Sequence, residues 1–151
     1  MLKEIGKNAV MAAEQLKTVD TDRKNQILDH MAAELLKDAD EIIDANKVDL
    51  ENAKKLELTA ALTDRLTLNK ERIQGMSEGL KKIIPLEDPV GKVTQSWKSE
   101  DGLDINKIRS PFGVIGIIYE ARPNVTSDVS GLCIKSGNAS ILRGSSYCLD
   151  S

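Results

Sequence analysis

The stretch that decides the fold is GVIGIIYEARPNV, residues 113–125. It begins with a continuous run of β-branched residues and ends in polar groups, among them Glu120, Arg122 and Asn124. An apolar run without alternation is typical of a parallel strand that is covered on both faces. The sequence therefore predicts a buried strand whose carboxyl end carries several side chains capable of binding a ligand.

The residues after this stretch predict a helix and a second strand. The segment SDVSGLCIKSGN, 127–138, has apolar residues on one helical side and closes with Gly137-Asn138, a common helix stop. The segment ASIL, 139–142, is short and apolar. A strand, a helix and a strand in this order form the βαβ unit of a parallel sheet. The fold class is therefore predicted to be α/β.

Helical spacing dominates the chain before this unit. We expect Thr21 to cap the second helix. Asn46 interrupts the apolar face of the third helix, and we expect a partly exposed amide there, with a structural hydrogen bond as the alternative. Four stripes at three- and four-residue spacing predict four helices: Ile5, Ala9, Ala12, Ala13 and Leu16; Ile27, Leu28, Met31 and Leu35; Ile42, Ile43, Leu50 and Ala53; and Ile73, Met76, Leu80 and Ile83.

A hairpin is predicted between the helices and the βαβ unit. Pro85 and Pro89 end the helical region. The segments KVTQSW and DINKIRS resemble two short strands, and Asp101-Gly102 between them is a turn signal. The exposed edge of such a hairpin needs cover, and we expect a partner subunit to supply it.

Composition and charge exclude several classes of function. The net charge of −3 argues against nucleic acid as a partner, because phosphate binding needs a basic face. The first residues carry acids and amides and so do not resemble a signal peptide, and no run of about 18 apolar residues predicts a membrane span. Two cysteines are too few for a disulfide framework and fit a cytoplasmic protein. We expect no metal site.

The end of the first strand is the main candidate site. In open parallel sheets, ligands bind outside the carboxyl ends of the strands. Arg122 can hold a carboxylate or phosphate with two hydrogen bonds. Asn124 lies where the following helix begins and can donate to an oxyanion. In the alternative interpretation, Arg122 pairs with Glu120 on the surface and Asn124 only caps the helix.

The end of the second strand is a weaker candidate site. Arg143, Ser145 and Ser146 follow it, and they are expected to open another helix. A cation and two hydroxyls suit ribose or phosphate oxygens, although a capped helix with a solvated arginine is the alternative. Neither Cys133, expected to be a buried inert thiol, nor Cys148 is a candidate nucleophile.

The motifs YEARPNVT, KSGNA and LRG, in this order and spacing, resemble the signature region of γ-glutamyl phosphate reductase, also called glutamate-5-semialdehyde dehydrogenase. The resemblance extends to the segments TDRLTLNKERIQGM and DPVGKV. It implies the aldehyde dehydrogenase superfamily fold. Residues 1–88 would then be the amino-terminal helical part of a Rossmann-like cofactor domain, 89–110 the oligomerisation hairpin, and 111–151 the start of the parallel sheet.

The resemblance also implies an activity and roles for the site residues. The reaction is the NADPH-dependent reduction of L-glutamate 5-phosphate to L-glutamate 5-semialdehyde with release of phosphate, the second step from glutamate to proline. It implies a homo-oligomer with NADP(H) as cofactor. Asn124 is the oxyanion candidate, Arg122 and Glu120 are the substrate-binding candidates, and Arg143, Ser145 and Ser146 are the cofactor-binding candidates.

The nucleophilic cysteine of this family lies downstream of the signature region, beyond Ser151. We therefore expect the chain to be an amino-terminal fragment that lacks the catalytic domain and is inactive by itself. Three alternatives remain open: another aldehyde dehydrogenase that uses NAD, a reductase fused to a glutamate kinase, and a non-catalytic assembly or binding module.

Overall fold

A computed structural model describes residues 1–148. In chain order the elements are α1 (Leu2–Leu16), α2 (Thr21–Lys37), α3 (Ala39–Lys55), α4 (Ala60–Leu66), α5 (Lys70–Ile83), β1 (Val93–Lys98), β2 (Asp104–Ile108), β3 (Val114–Ile118), α6 (Asn124–Lys135) and β4 (Ala139–Arg143). The α/β class is confirmed, and so is the sequence of helices, hairpin and βαβ unit. In the described part of the chain, no helix is both long enough and apolar enough to cross a membrane.

Two details of the helical region differ from expectation. Asp20, and not Thr21, caps α2, since its carboxylate accepts a 2.7 Å hydrogen bond from the Arg23 N–H. Thr21 is the first helical residue, and its hydroxyl donates to Asp88 instead. A fifth helix, α4, was not predicted. It begins after Thr59, whose hydroxyl accepts from the Leu62 N–H, a capping arrangement that the sequence carries.

Asn46 is buried, so the expectation of a partly exposed amide is wrong. Its side chain is 1% exposed. The amide group donates to the Leu66 carbonyl oxygen at 2.9 Å and accepts from the Leu68 N–H at 2.7 Å. The alternative, a structural hydrogen bond, is correct. Asn46 on α3 thereby fixes the segment that links α4 to α5.

The core lies where α2, α5 and α6 meet. One buried cluster contains Leu28, Ala32, Leu80 and Ile83. Helix α6 approaches this cluster closely through Gly131, where an added Cβ would lie 2.5 Å from Leu80 Cδ2. An alanine at this position would force the Leu80 side chain to shift.

Two buried lysines connect this core to the rest of the fold. Lys24 of α2 is 1% exposed and forms a 2.8 Å ion pair with Asp88, which precedes the hairpin. Lys135 at the end of α6 donates to Asn25 Oδ1 at 2.7 Å and to the Ile84 carbonyl oxygen at 2.8 Å. Their ammonium groups are paired or hydrogen-bonded, as buried charges must be.

The predicted hairpin is confirmed. Strands β1 and β2 pair antiparallel, with an irregularity between Val93 and Gln95. Gly102 in the connecting turn has a φ of 81°, a conformation that favours glycine. Trp97, in the middle of the hairpin, is 46% exposed.

Strands β3 and β4 pair in parallel, with Val114 opposite Ala139 and Ile118 opposite Arg143. The strand–helix–strand prediction is confirmed. The expectation that both faces of β3 are covered is wrong at its end, because Ile118 is 81% exposed. Within the residues described, the sheet has two strands, and α1 and α6 are the helices that contact it.

Candidate functional site

The candidate site is built on the chain between β3 and α6. The Tyr119 N–H donates to the Arg143 carbonyl oxygen at 3.1 Å, which continues the pairing with β4. The Tyr119 hydroxyl shares a 2.5 Å hydrogen bond with the Thr126 hydroxyl on α6. Ala121 is 1% exposed and has a φ of 39°, in the left-handed region that non-glycine residues rarely adopt. The loop is therefore fixed at both ends and turns sharply at its centre.

Asn124 is the first residue of α6, as expected, but its side chain does not cap the helix. Its amide nitrogen donates to Asp128 Oδ2, four residues further along the same helix, at 3.1 Å. The interpretation in which Asn124 only caps the helix is therefore wrong. The amide keeps a second N–H for a ligand, since a primary amide has two.

Arg122 and Asn124 line the same cleft, which has a volume of about 370 Å³. This volume is within the roughly 300–1,000 Å³ typical of small-molecule sites. Most of the other residues that line the cleft belong to α4, α5 and the segment between them. The further residues that line it are Asp64, Arg65, Thr67, Leu68, Arg72, Gly75, Met76 and Asp128.

The charges of the cleft fall into two groups. Arg72 is held in place, because its guanidinium donates to the carbonyl oxygens of Asp64 and Thr67 and pairs with the Asp64 carboxylate at 2.8 Å. In contrast, the guanidinium groups of Arg65 and Arg122 have no hydrogen bond or ion pair with any residue in 1–148. The cleft therefore presents two positive groups that can bind an anion.

Glu120 lies on the loop but does not line the cleft. It is exposed, and no ion pair joins it to Arg122 among residues 1–148. The surface pair that formed the alternative interpretation is thus not present in the described structure. The structure brings Arg122 and Asn124 together, but it does not bring Glu120 to the same place.

The end of β4 is arranged differently from the sequence prediction. Arg143 is the last residue of the strand, and its Nη1 donates to the Gly144 carbonyl oxygen at 3.0 Å. No helix begins between this strand and residue 148, so the expected second helix start is wrong as far as the description extends. Ser145 Oγ accepts from the Tyr147 N–H at 3.2 Å, whereas Ser146 is exposed.

Neither cysteine has the surroundings of a nucleophile. Cys133 is buried in α6, and burial raises the pKa of its thiol. Cys148 is half-buried, and its sulfur lies 3.7 Å from the Ser145 hydroxyl. The expected burial of Cys133 is confirmed.

Of the cleft residues that sequence reasoning did not predict, Arg65 and Asp128 are those whose charges form no ion pair within residues 1–148. Arg65 belongs to the seven-residue helix α4, which is too short for a recognisable apolar stripe. The Thr59 cap was the available signal. Asp128 was recognisable from its spacing, since it lies four residues after Asn124, and side chains at that spacing meet on one helical face.

Comparison with known proteins gives one consistent result. The chain is 50% identical over 150 residues to the γ-glutamyl phosphate reductase of Desulforamulus reducens, covering 99% of this chain and 36% of the relative. It is 52% identical over 147 residues to that of Clostridium acetobutylicum, covering 97% of this chain and 35% of the relative. No protein-family model matches the chain.

Solved structures agree with the sequence relatives. The crystal structure of the Thermotoga maritima γ-glutamyl phosphate reductase matches 99% of this chain and 36% of that chain, with a TM-score of 0.95 and 43% identity. The Saccharomyces cerevisiae enzyme matches 97% of this chain and 38% of that chain, with a TM-score of 0.90 and 40% identity.

The chain thus spans about a third of the length of these relatives. The resemblance seen in the sequence motifs is confirmed: over almost its whole length, this chain is similar in sequence and in fold to the γ-glutamyl phosphate reductases.

Proposed function

We propose that this chain is the cofactor-domain portion of a γ-glutamyl phosphate reductase. The proposed reaction is the NADPH-dependent reduction of L-glutamate 5-phosphate to L-glutamate 5-semialdehyde with release of phosphate, a step of proline biosynthesis. The relatives that carry this name are about 50% identical to the chain. Because the chain spans a third of their length, we propose that it does not catalyse the reaction by itself and needs a cysteine nucleophile supplied elsewhere.

The observation that carries the proposal is the joint position of Arg122 and Asn124. Both line one cleft at the carboxyl end of β3, which is where parallel sheets bind ligands. A guanidinium without a protein partner suits the extra negative charge of an acyl phosphate. The second amide hydrogen of Asn124 suits the oxyanion that forms when the acyl carbon is attacked.

The end of β4 supports a nicotinamide cofactor. Arg143 is exposed, and among residues 1–148 its guanidinium contacts only the Gly144 carbonyl. Its charge is thus available for the phosphate or ribose oxygens of NADP(H), with Ser146 exposed beside it and Ser145 as a weaker companion. The cofactor would supply the hydride. We propose NADP(H) over NAD(H) because an additional phosphate would complement the Arg143 guanidinium, which forms no ion pair within residues 1–148.

The remaining proposals concern the division of the chain, its assembly and its compartment. We propose that 1–88, 89–110 and 111–151 are the helical part, the assembly hairpin and the start of the sheet in an aldehyde dehydrogenase-like fold. The exposed hairpin, with Trp97 on its surface, is the proposed contact in a homo-oligomer. Cys133 and Cys148 are both free thiols, which supports a reducing compartment such as the cytoplasm.

The test uses a chimaera in which this chain replaces the matching third of the Desulforamulus reducens reductase. The reverse reaction is followed as NADPH formed from glutamate 5-semialdehyde, phosphate and NADP⁺. We expect formation to require both phosphate and NADP⁺. NADPH that forms equally fast without phosphate would contradict the proposal and indicate an ordinary aldehyde dehydrogenase.

The site assignment is tested in the same chimaera. Arg122→Ala is expected to lower kcat/KM for glutamate 5-semialdehyde and phosphate by on the order of 10²-fold, the loss of a charge-assisted clamp. Arg23→Ala, an exposed arginine on α2, is the matched control and should leave kcat/KM unchanged. Equal effects of the two substitutions would remove Arg122 from the site.

A further inference from the structure

The cleft contains a third charge without an ionic partner, and its sign is negative. Asp128 is partly buried, and its Oδ2 accepts from the neutral amide of Asn124 at 3.1 Å. No lysine or arginine pairs with it within residues 1–148. A partly buried carboxylate that forms no ion pair is stabilised by a cation in contact with it, so a ligand that brings a positive group would be favoured here.

The two positive groups belong to different elements of the fold. Arg122 lies on the loop before α6, whereas Arg65 lies on α4. The end of α4 is fixed by the buried Asn46, which accepts and donates across the α4–α5 link. Arg72 further fixes the same segment by donating to the carbonyl oxygens of Asp64 and Thr67. Arg65 is therefore presented on a braced segment.

The cleft therefore offers two free guanidinium groups and one uncompensated carboxylate in about 370 Å³. A simple dicarboxylate or inorganic phosphate would satisfy the arginines and leave Asp128 unpaired. An amine alone would pair with Asp128 and leave the arginines unpaired. An α-amino acid head group satisfies both signs, since it carries an ammonium and a carboxylate on one carbon atom.

We propose that Asp128 and Arg65 bind the α-amino acid head group of the substrate, with Asp128 on the ammonium and Arg65 on the α-carboxylate. Arg122 then remains for the second anionic group of the molecule. This inference rests on the proposed function, because it is the glutamyl part of the substrate that carries such a head group. It makes Asp128 and Arg65 specificity-determining residues of the cleft.

The test measures binding to the 151-residue chain itself by NMR, with the chain labelled with ¹⁵N. The probes are L-glutamate, glutarate, which lacks the ammonium, and 4-aminobutyrate, which lacks the α-carboxylate. We expect L-glutamate to bind about tenfold more tightly than either analogue, the effect of one hydrogen-bonded charge pair. The shifted signals should include the Arg65 side chain and the first turn of α6.

Variants separate the two contacts. Asp128→Asn should abolish the preference over glutarate and retain the preference over 4-aminobutyrate. Arg65→Gln should abolish the preference over 4-aminobutyrate and retain the preference over glutarate. Arg65→Lys keeps the charge and should retain a reduced preference over 4-aminobutyrate. Arg23→Gln is the control and should change neither ratio. The backbone spectrum of each variant reports directly whether the fold is preserved.

Two results would overturn the proposal. One is that L-glutamate binds no more tightly than glutarate and 4-aminobutyrate, or does not bind at all. The other is a preference that Asp128→Asn and Arg65→Lys leave unchanged in chains with preserved spectra. The chimaera assay distinguishes this failure from failure of the proposed function: phosphate-dependent turnover without a glutamate preference would refute only the head-group assignment. A glutamate preference in this chain with a phosphate-independent chimaera would refute only the reductase assignment.

Discussion

Asn46→Leu is expected to destabilise the chain far more than the same change at an exposed position of the same helix. The substitution is close in volume but leaves the Leu66 carbonyl oxygen and the Leu68 N–H without their partner. Leu66 and Leu68 are themselves buried, at 0% and 6% exposure, so water does not easily replace the amide. Each buried unsatisfied group costs about 1–3 kcal/mol, and because two groups lose their partner we expect a loss of roughly 2–6 kcal/mol in the free energy of unfolding.

Asn52→Leu is the matched control, because Asn52 is exposed on α3 and its side chain makes no hydrogen bond within residues 1–148. A surface change of this kind is expected to alter stability by less than about 0.5 kcal/mol. Urea unfolding followed by circular dichroism gives both values. A difference between the two variants of under about 1 kcal/mol would refute the view that Asn46 braces the α4–α5 segment.

The remaining predictions concern the core and the buried ion pair. In thermal unfolding, Gly131→Ala should destabilise the chain by about 1–2 kcal/mol, because overpacking against Leu80 outweighs the helical preference for alanine. Gly6→Ala is the matched control and should stabilise the chain slightly, because an added Cβ there would meet no atom within 4 Å. Lys24→Met should cost about 3–5 kcal/mol in urea unfolding, because it leaves a carboxylate unpaired. Burial alone would raise the pKa of Asp88, but hydrogen bonds from Lys24, the Val90 N–H and Thr21 together hold it below 3.8. Its stabilising contribution should thus be complete above that pH and disappear as the pH falls further, and a stability that stays constant below about pH 4 would contradict this.

The βαβ unit was predictable because several local signals agreed. The β-branched run at 114–118 has no helical period, and Gly137 provides a stop between α6 and β4. The hairpin was predictable for a similar reason, since Asp101-Gly102 specifies the turn between two short strands. Where local preference and tertiary structure favour the same element, sequence reasoning succeeds.

The errors arose where tertiary contacts decided the outcome. Asp20 and Thr21 can both cap a helix, and the choice went to Asp20 because the Thr21 hydroxyl binds Asp88, 67 residues away. The burial of Asn46 depends on backbone groups 20 and 22 residues away. Such long-range partners leave no periodic trace in the sequence.

Part of the candidate site was predictable because its placement depends on local sequence signals. The loop residues Arg122 and Asn124 follow a strand and precede a helix, so their placement is local. Arg65 reaches the cleft only because α4 packs against α3 and is joined to α5. The charge balance of the cleft could therefore be seen only once the fold had brought residues 64–76 and 122–128 together.

The left-handed backbone at Ala121 has a consequence for anyone who wishes to redesign the specificity of this cleft. A combinatorial library over 120–124 would include the residues that line the cleft, but few side chains fit at position 121. Ala121 is almost fully buried and has a φ of 39°. A branched side chain held in this conformation would cost about 1–3 kcal/mol. Alanine and glycine are the residues that fit. A library that keeps position 121 unchanged and varies Arg122 and Asn124 instead alters the two loop residues that line the cleft while leaving the backbone turn intact.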